Sequence, residues 1–280
     1  MFFSCLSPCK LNLFLYVTGT RPNGYHNLQT LFVILDYGDT LDFESRPQEV
    51  ELLTDFGFPK EQNLIYKAAL AMKEYCKIST GIAISARKLI PQGGGLGGGS
   101  SNAATVLLVL NRLWQCGLDE AELITLGARL GADVPIFIRG RTSFAQGTGE
   151  ILQDADWPIK WYVVCYPGCQ VSTAKLFAAP ELKKDSPVRS FQELCSLPFE
   201  NSFTLPAVSR YPQIASLLTR LSAFGPSFMS GSGSCCFVSF DTKTSAVAAA
   251  TALKAEGYSC FCAPSVRESP VLRALRQQGL

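Results

Sequence analysis

Two sets of residues in this chain have types and spacings suited to chemistry. The first is a loop. From Gly93 to Gly99 six of seven residues are glycine, Ser100 and Ser101 follow, and then comes the apolar run "NAATVLLVLNRLW". Glycine has the most backbone freedom to lose on ordering, so such a run is kept where something must come close to the main chain. A glycine-rich turn opening into a helix aims free N–H groups and a partial positive charge at one spot, which makes an anion site. The two hydroxyls at its edge suit phosphate oxygens or a metal ion. The second set is a pair of charges in apolar company, Lys10 in "SPCKLNLFLY" and Asp133 in "LGADVPIFIRG". A lone carboxylate beside Val134, Ile136, Phe137 and Ile138 is costly unless it is paired or functional. A helix cap or a structural ion pair would account for it as well, and Lys10 reads equally as a strand-edge lysine reaching for water.

Other phosphate-cradling patterns fit the loop less well. Gly93, Gly95 and Gly98 satisfy the dinucleotide fingerprint G-x-G-x-x-G, but in so glycine-rich a run the match is nearly automatic. That fingerprint also wants a continuous buried strand before it, and "ISARKLIPQ" carries Arg87, Lys88 and Pro91. Gly94 and Gly99 have the spacing of a P-loop, yet Ser100 stands where its lysine must be. A flexible linker would be polar on both sides and would not run into a buried helix.

The elements that must position these residues follow from periodicity. Apolar segments at Lys10–Thr18, Gln29–Leu35, Thr40–Phe43 and Gly81–Lys88 predict strands, with "RPNGYHNL" as the turn between the first two. Asn63–Tyr75 predicts a helix. The run after the glycines is apolar nearly all round at 103, 104, 106–110, 113 and 114, which predicts a buried helix with Gly117 at its C′ position. Asp119 and Glu122 form a capping pattern for a further helix closed by Gly131. "SFAQGTGEIL" reads as one strand. A compositional shift at "QDADWPIK" predicts a boundary, giving units 1–153 and 154–280. The second unit opens on the strand "KWYVVCYPG", passes through loops and short helices at 180–213, and ends strand, Gly/Ser turn, strand, helix, strand. Asp241 or Thr242 caps that last helix and Gly257 stops it.

Composition narrows the class. The chain has 280 residues, 47% hydrophobic and 17% charged, which suits a folded globular protein with one or two domains. A net charge of +2 gives no nucleic-acid footprint. No apolar stretch reaches membrane-span length. The hydrophobic N-terminus lacks a leading positive charge and is interrupted by Pro8 and Lys10, unlike a signal peptide. Eleven cysteines lie in apolar runs without a CxxC pair, and one histidine leaves no Cys/His metal pattern. Buried free thiols, and a reducing cytoplasmic setting, are expected.

"PQGGGLGGGSSNAATVLLVLN" resembles the ATP loop of the GHMP kinases. "SPCKLNLFLYVTGTRPNGYHNLQTLF" is similar to their N-terminal motif and "SGSGSCCF", Ser230–Phe237, to their third. The resemblance spans nearly the whole chain. Its departures are Cys9 at a position the family gives to a small residue, and Ser230 and Ser232 where threonines are usual. It implies an α+β, two-domain fold, with a ribosomal-protein-S5-like N-terminal domain and a ferredoxin-like C-terminal domain. It implies ATP as co-substrate, bound by Pro91, Gln92, Gly93, Gly94, Gly95, Leu96, Gly97, Gly98, Gly99, Ser100 and Ser101. Mg²⁺ is expected on chemical grounds to bridge the phosphates, with Ser100 and Ser101 as its only candidate ligands. Asp133 becomes the catalytic base and Lys10 its partner, with Asn12 on the same strand face orienting the acceptor hydroxyl. "GYH", "LDYGDTL" and "LGADVP" together are most similar to a branch whose small-molecule acceptor carries cytidine diphosphate. In that branch Tyr25 stacks on the base, His26 contacts it, and Phe177 is a second stacking aromatic. Kinases of homoserine or mevalonate type, and a non-catalytic ligand-binding relative, are the alternatives. The expected partner is therefore a small molecule, with no nucleic acid or membrane, and the chain a monomer or weak dimer.

Overall fold

A computed structural model describes residues 2–279. The chain forms two antiparallel-rich sheets that share a seam. In the first, β1 (Phe2–Thr20) pairs along its length with β2 (His26–Arg46), and the order is β3 (Val50–Leu52), β4 (Gly81–Arg87), β2, β5 (Ser143–Gln146), β6 (Ile151–Asp154). The second runs β10 (Ser259–Pro264), β7 (Trp161–Tyr166), β9 (Cys236–Phe240), β8 (Ser227–Met229). Sheet membership changes between Asp154 and Trp161.

The two strands expected at Gln29–Leu35 and Thr40–Phe43 are one. The polar "DYGD" between them looks like a break, but opposite it β1 shifts register between Pro8 and Lys10 and the pairing resumes. A Cβ on Gly38 would lie 1.9 Å from the Ser7 carbonyl oxygen, so only glycine lets β1 pass that close. "SFAQGTGEIL" is likewise a hairpin, β5 and β6, and not the single strand expected.

Helix α1 (Leu64–Tyr75), capped by the Asn63 side chain, and α2 (Gly98–Leu113) cover the first sheet with α3 (Glu120–Ala128) and α4 (Val134–Arg139). Every residue of α2 from Ser101 to Asn111 is buried, and each enclosed Val or Leu stabilises by ~1.5–3 kcal/mol. The helix departs from expectation at both ends. It begins inside the glycine run, and the left-handed residue after its C-cap Trp114 is Gln115 (φ 52°), not Gly117. Asp119 and Glu122 do make a capping box, but α3 ends at Ala128, so Gly131 lies beyond its cap.

In the second unit, α5 (Thr173–Phe177), α6 (Phe191–Ser196), α7 (Thr204–Arg210) and α8 (Pro212–Leu221) precede β8, and α9 (Lys243–Ala255) precedes β10. Thr242 caps α9. β7 alternates: Val163 and Cys165 face the α8–α9 side, while Tyr162 and Val164 join Leu11, Leu13, Leu31 and Val33 at the seam. With both faces covered, its continuous apolar run is explained. The last helix, α10 (Pro270–Gln277), returns to the first core through Val271 and Leu275. All eleven cysteines are free. Among the described residues no helix is long and apolar enough to cross a membrane.

Candidate active site

The glycine loop joins β4 to α2, and its root is pinned before the glycines begin. Asp39, fully buried on β2, accepts from the Leu89 and Ile90 amides at 2.8 and 2.9 Å and from Asn102 Nδ2 at 3.0 Å, and it pairs with Lys88. Lys88 also donates to Asn102 Oδ1 (2.9 Å). The charged "ARK" that counted against a dinucleotide fold thus anchors the loop.

Downstream, Gly93, Gly95 and Gly97 adopt positive φ. Two of them show why no other residue fits. A Cβ on Gly95 would sit 2.1 Å from the Ser230 carbonyl oxygen, and one on Gly97 2.8 Å from the Phe137 ring. The nearest approach to this backbone therefore comes from the protein's other Gly/Ser loop. Ser234 and Cys235 amides donate to Gly93 and Gly94 carbonyls, and Ser230 Oγ donates to Gly95. Gly97 caps α2 with no side chain, leaving first-turn amides unclaimed by a cap.

Two clefts open on either side of this loop. The larger, 870 Å³, is lined by Lys10, Asn12, Tyr25, His26, Asp133 and Phe177, together with Gly231–Gly233. The smaller, 420 Å³, is lined by Pro91–Ser100, Asn63, Leu64, Phe56, Phe58 and Lys88. Gly93, Gly95, Gly97 and Ser100 line both.

Lys10 is only 3% exposed, so it is not a strand-edge lysine reaching for water. Its ammonium donates to Asn12 Oδ1 (2.5 Å) and the Gly95 carbonyl (3.0 Å), lies 3.5 Å from Asp133 Oδ2, and stands 5.3 Å from the Phe32 ring centre. Three acceptors make burial of the cation tolerable. Asn12 shares its face and is itself held by donating to Thr30 Oγ1 (2.8 Å). Asp133 differs from the expected buried carboxylate. The apolar residues after it coil into α4 and turn inward, whereas Asp133 occupies the N-cap position, 37% exposed, with no capping bond from its side chain. Its carboxylate is thus open to the cleft on one side and held by Lys10 on the other.

The aromatic wall also differs in detail. Phe177 stacks on His26 (4.5 Å, 7°) and meets Phe203 edge-on, while Tyr25 stands 63% exposed at the rim. Burial and then the Lys184 charge push the His26 imidazole below its usual value, opposed by a hydrogen bond that the ring donates to the Gly19 backbone. Ser101 does not reach either cleft. It is fully buried, its hydroxyl on Ser7 Oγ (2.9 Å), which leaves Ser100 alone at the surface. The Leu96 side chain likewise packs in the seam, so it offers the cleft only backbone, and its carbonyl accepts from the Lys10 amide. Among the described residues no cluster of three or more His, Cys, Asp or Glu could hold a metal. Sequence reasoning missed Thr148, Gly149, Val171 and Phe203 in the larger cleft and Phe56 and Phe58 in the smaller. None carries a local signal, because each arrives through tertiary pairing.

The order of motifs around one cavity is matched by known proteins. The GHMP kinases N-terminal domain model matches residues 63–141 and the GHMP kinases C-terminal model residues 178–259. A crystal structure of 4-(cytidine 5'-diphospho)-2C-methyl-D-erythritol kinase is 34% identical over 94% of this chain and 99% of that one, with a TM-score of 0.84. The chain belongs to the GHMP kinases. It is a phosphotransferase with their two-domain mixed α and β fold, in a family that uses ATP as co-substrate. Homoserine kinase from Cytophaga hutchinsonii (14% identity, TM-score 0.65, 96% of each chain) and mevalonate kinase from Methanococcus jannaschii (15%, 0.64, 95% and 98%) share the fold.

Proposed function

We propose that this GHMP kinase transfers the γ-phosphoryl group of ATP to the 2-hydroxyl of 4-diphosphocytidyl-2-C-methyl-D-erythritol, giving the 2-phosphate and ADP in non-mevalonate isoprenoid precursor synthesis. The observation that carries the reading is the Lys10–Asp133 pair, 3.5 Å apart in a cleft walled by the glycine loop on one side and Tyr25, His26 and Phe177 on the other. The 34% identity to an enzyme named for that substrate supports it. Homoserine and mevalonate offer no base for an aromatic wall to stack on, whereas base–aromatic stacking is worth ~1–3 kcal/mol. Residues 1–153 and 154–280 are its two units, with α10 packed back on the first.

Phosphoryl transfer asks for positioning and charge neutralisation. The loop from Pro91 to Ser100 presents backbone amides to the triphosphate, with the adenosine in the smaller cleft. Asp133 takes the proton of the acceptor hydroxyl. That oxygen bonds to the γ-phosphorus as the bond to the β,γ-bridging oxygen breaks, and ADP leaves with the electron pair. Lys10, 3.5 Å from the Asp133 carboxylate, orients it and faces the charge on the transferred group. Asn12 orients the acceptor. When bound with the nucleotide, Mg²⁺ would supply neutralisation of phosphate charge, and such an ion needs few protein ligands. Ser100 is the hydroxyl that would hold it, Ser101 being spent in the core.

The test is ATP turnover with a panel of alcohols. The diphosphocytidyl alcohol should be phosphorylated, with homoserine and mevalonate at background. Phosphorylation of homoserine but not of the diphosphocytidyl alcohol would overturn the assignment.

A further inference from the structure

The larger cleft has a wall that no motif announced. Thr148 and Gly149, in the turn between β5 and β6, line it opposite Asn23 and Gly24 of the turn that carries Tyr25 and His26. Residues 22–25 are all exposed, so packing does not hold that turn in place. Besides the strand pairing at its base and the turn's own hydrogen bonds, one arginine side chain ties it to the neighbouring hairpin. Arg21 Nη2 pairs with Glu150 Oε1 at 3.3 Å, and its Nε donates to Asn27 Oδ1 at 2.7 Å. Its amide donates to the Tyr25 carbonyl at 2.6 Å and its carbonyl accepts from the Gly24 amide at 2.9 Å, closing the turn on itself. Glu150 is fixed in turn, because its other oxygen accepts from the Thr148 amide and hydroxyl. The Leu28 amide donates to the Gly147 carbonyl (2.6 Å), so the two turns meet through backbone as well.

We infer that Arg21 is a positioning residue for acceptor specificity, buckling the nucleobase turn to the β5–β6 hairpin through Glu150 without itself lining the cleft. The inference rests on the proposed function. Its physical content is preorganisation: an exposed turn ordered only on binding charges the acceptor with the entropy of ordering, and a turn ordered beforehand does not. The ion pair is half-exposed on both sides, which bounds the effect to a modest one. It also predicts where the effect falls. None of the hydrogen bonds or ion pairs of Arg21 and Glu150 goes to the glycine loop or Lys10, so ATP affinity and the chemical step should not change.

The experiment pairs steady-state kinetics with amide exchange on the full chain. Arg21→Ala and Glu150→Gln should each raise KM for the diphosphocytidyl acceptor about threefold to tenfold, as expected for a half-exposed charge-assisted pair, with kcat and KM for ATP unchanged. The reversed pair R21E/E150R restores the ion pair but not the Asn27 and Thr148 bonds, so it should recover part of the loss. In the absence of any substrate, Arg21→Ala should speed exchange in residues 21–28 while leaving 90–101 unaltered. A structural role alone would lower the melting temperature without splitting the two KM values. An unaltered acceptor KM in Arg21→Ala, equal rises in both KM values, or unchanged exchange in 21–28 would overturn the inference. A wild-type chain inactive toward the diphosphocytidyl alcohol would instead overturn the proposed function, and the exchange result would still judge the buckle.

Discussion

In the proposed reaction the phosphate end of the cavity is built from main chain: Gly95 and Gly97 hold positive φ, their carbonyl and Cα positions are pressed against Ser230 and Phe137, and the helix behind them is buried from Ser101 to Asn111. The acceptor end is built from side chains on exposed turns, with Tyr25 63% exposed and the His26–Phe177 stack at the edge of the cleft. A triphosphate has the same shape whatever alcohol it meets, and main-chain amides fixed by packing suit a constant partner. In the proposed reaction the acceptor is what sets this chain apart from the homoserine and mevalonate kinases that share its fold at 14–15% identity. Side chains on turns can be exchanged without disturbing the core, so selectivity belongs there.

If the division is real, the largest effect should fall on the pair that spans it. Asp133→Asn should lower kcat about 10²-fold or more, the cost of losing a general base, while ATP binding measured by calorimetry stays intact. Asp133 is 37% exposed and makes no cap bond, but it is the carboxylate paired with the buried Lys10 ammonium, so the melting temperature should fall somewhat while the fold is kept. Full turnover in Asp133→Asn would remove the residue from its role. A glycine at each end sharpens the contrast next. Gly95→Ala would drive a Cβ to 2.1 Å from a backbone oxygen, so KM for ATP should rise at least tenfold, since overpacking of this kind costs ~1–3 kcal/mol or more. Gly24→Ala, also at positive φ but with nothing within 4 Å, should change the acceptor KM only about threefold, from backbone strain alone. Equal effects from the two would dissolve the distinction between the ends.

Tyr25→Ala comes third. Losing one face of a base stack should raise the acceptor KM roughly tenfold, and the melting temperature should stay put because the ring buries little. A defect confined to ATP affinity would contradict its placement at the acceptor end.

This contrast also explains what the sequence disclosed. The phosphate end is local: glycines, hydroxyls and an apolar helix are contiguous, so the loop was readable from residues 90–114. Local signals also placed the Asp119–Glu122 capping box and narrowed the cap of α9 to Asp241 or Thr242, of which Thr242 makes the bond. What escaped depends on pairing across the chain. The continuity of β2 through "DYGD" shows only once β1 bulges opposite it. Whether Ser100 or Ser101 faces the cleft depends on where α2 begins, and Gly98 lies five residues before the apolar pattern declares a helix. The exposure of Asp133 follows from α4 coiling inward, which the string "DVPIFI" does not distinguish from a buried strand. Phe177 is legible as an aromatic but not as the neighbour of His26, 151 positions apart in numbering and 4.5 Å apart in space.

The smallest effect tests the acceptor end by pH. Burial, and after it the positive charge of Lys184, hold the His26 imidazole below its ordinary value of 6.5. The sign follows directly: a base with a lowered pKa stays neutral through pH 7 and gains its proton only below 6.5. Neutral, it keeps one ring nitrogen as an acceptor; protonated, both nitrogens donate and the ring repels Lys184. The acceptor KM should therefore be flat from pH 8 to 6.5 and rise only on further acidification. KM for ATP should show no matching rise, because the glycine loop meets its ligand with amides that do not titrate. His26→Gln cannot take up the proton and should flatten the acceptor profile. A rise that persists in the glutamine variant would assign the titration elsewhere, and a parallel rise for ATP would mean that the two ends of the cavity are not independent.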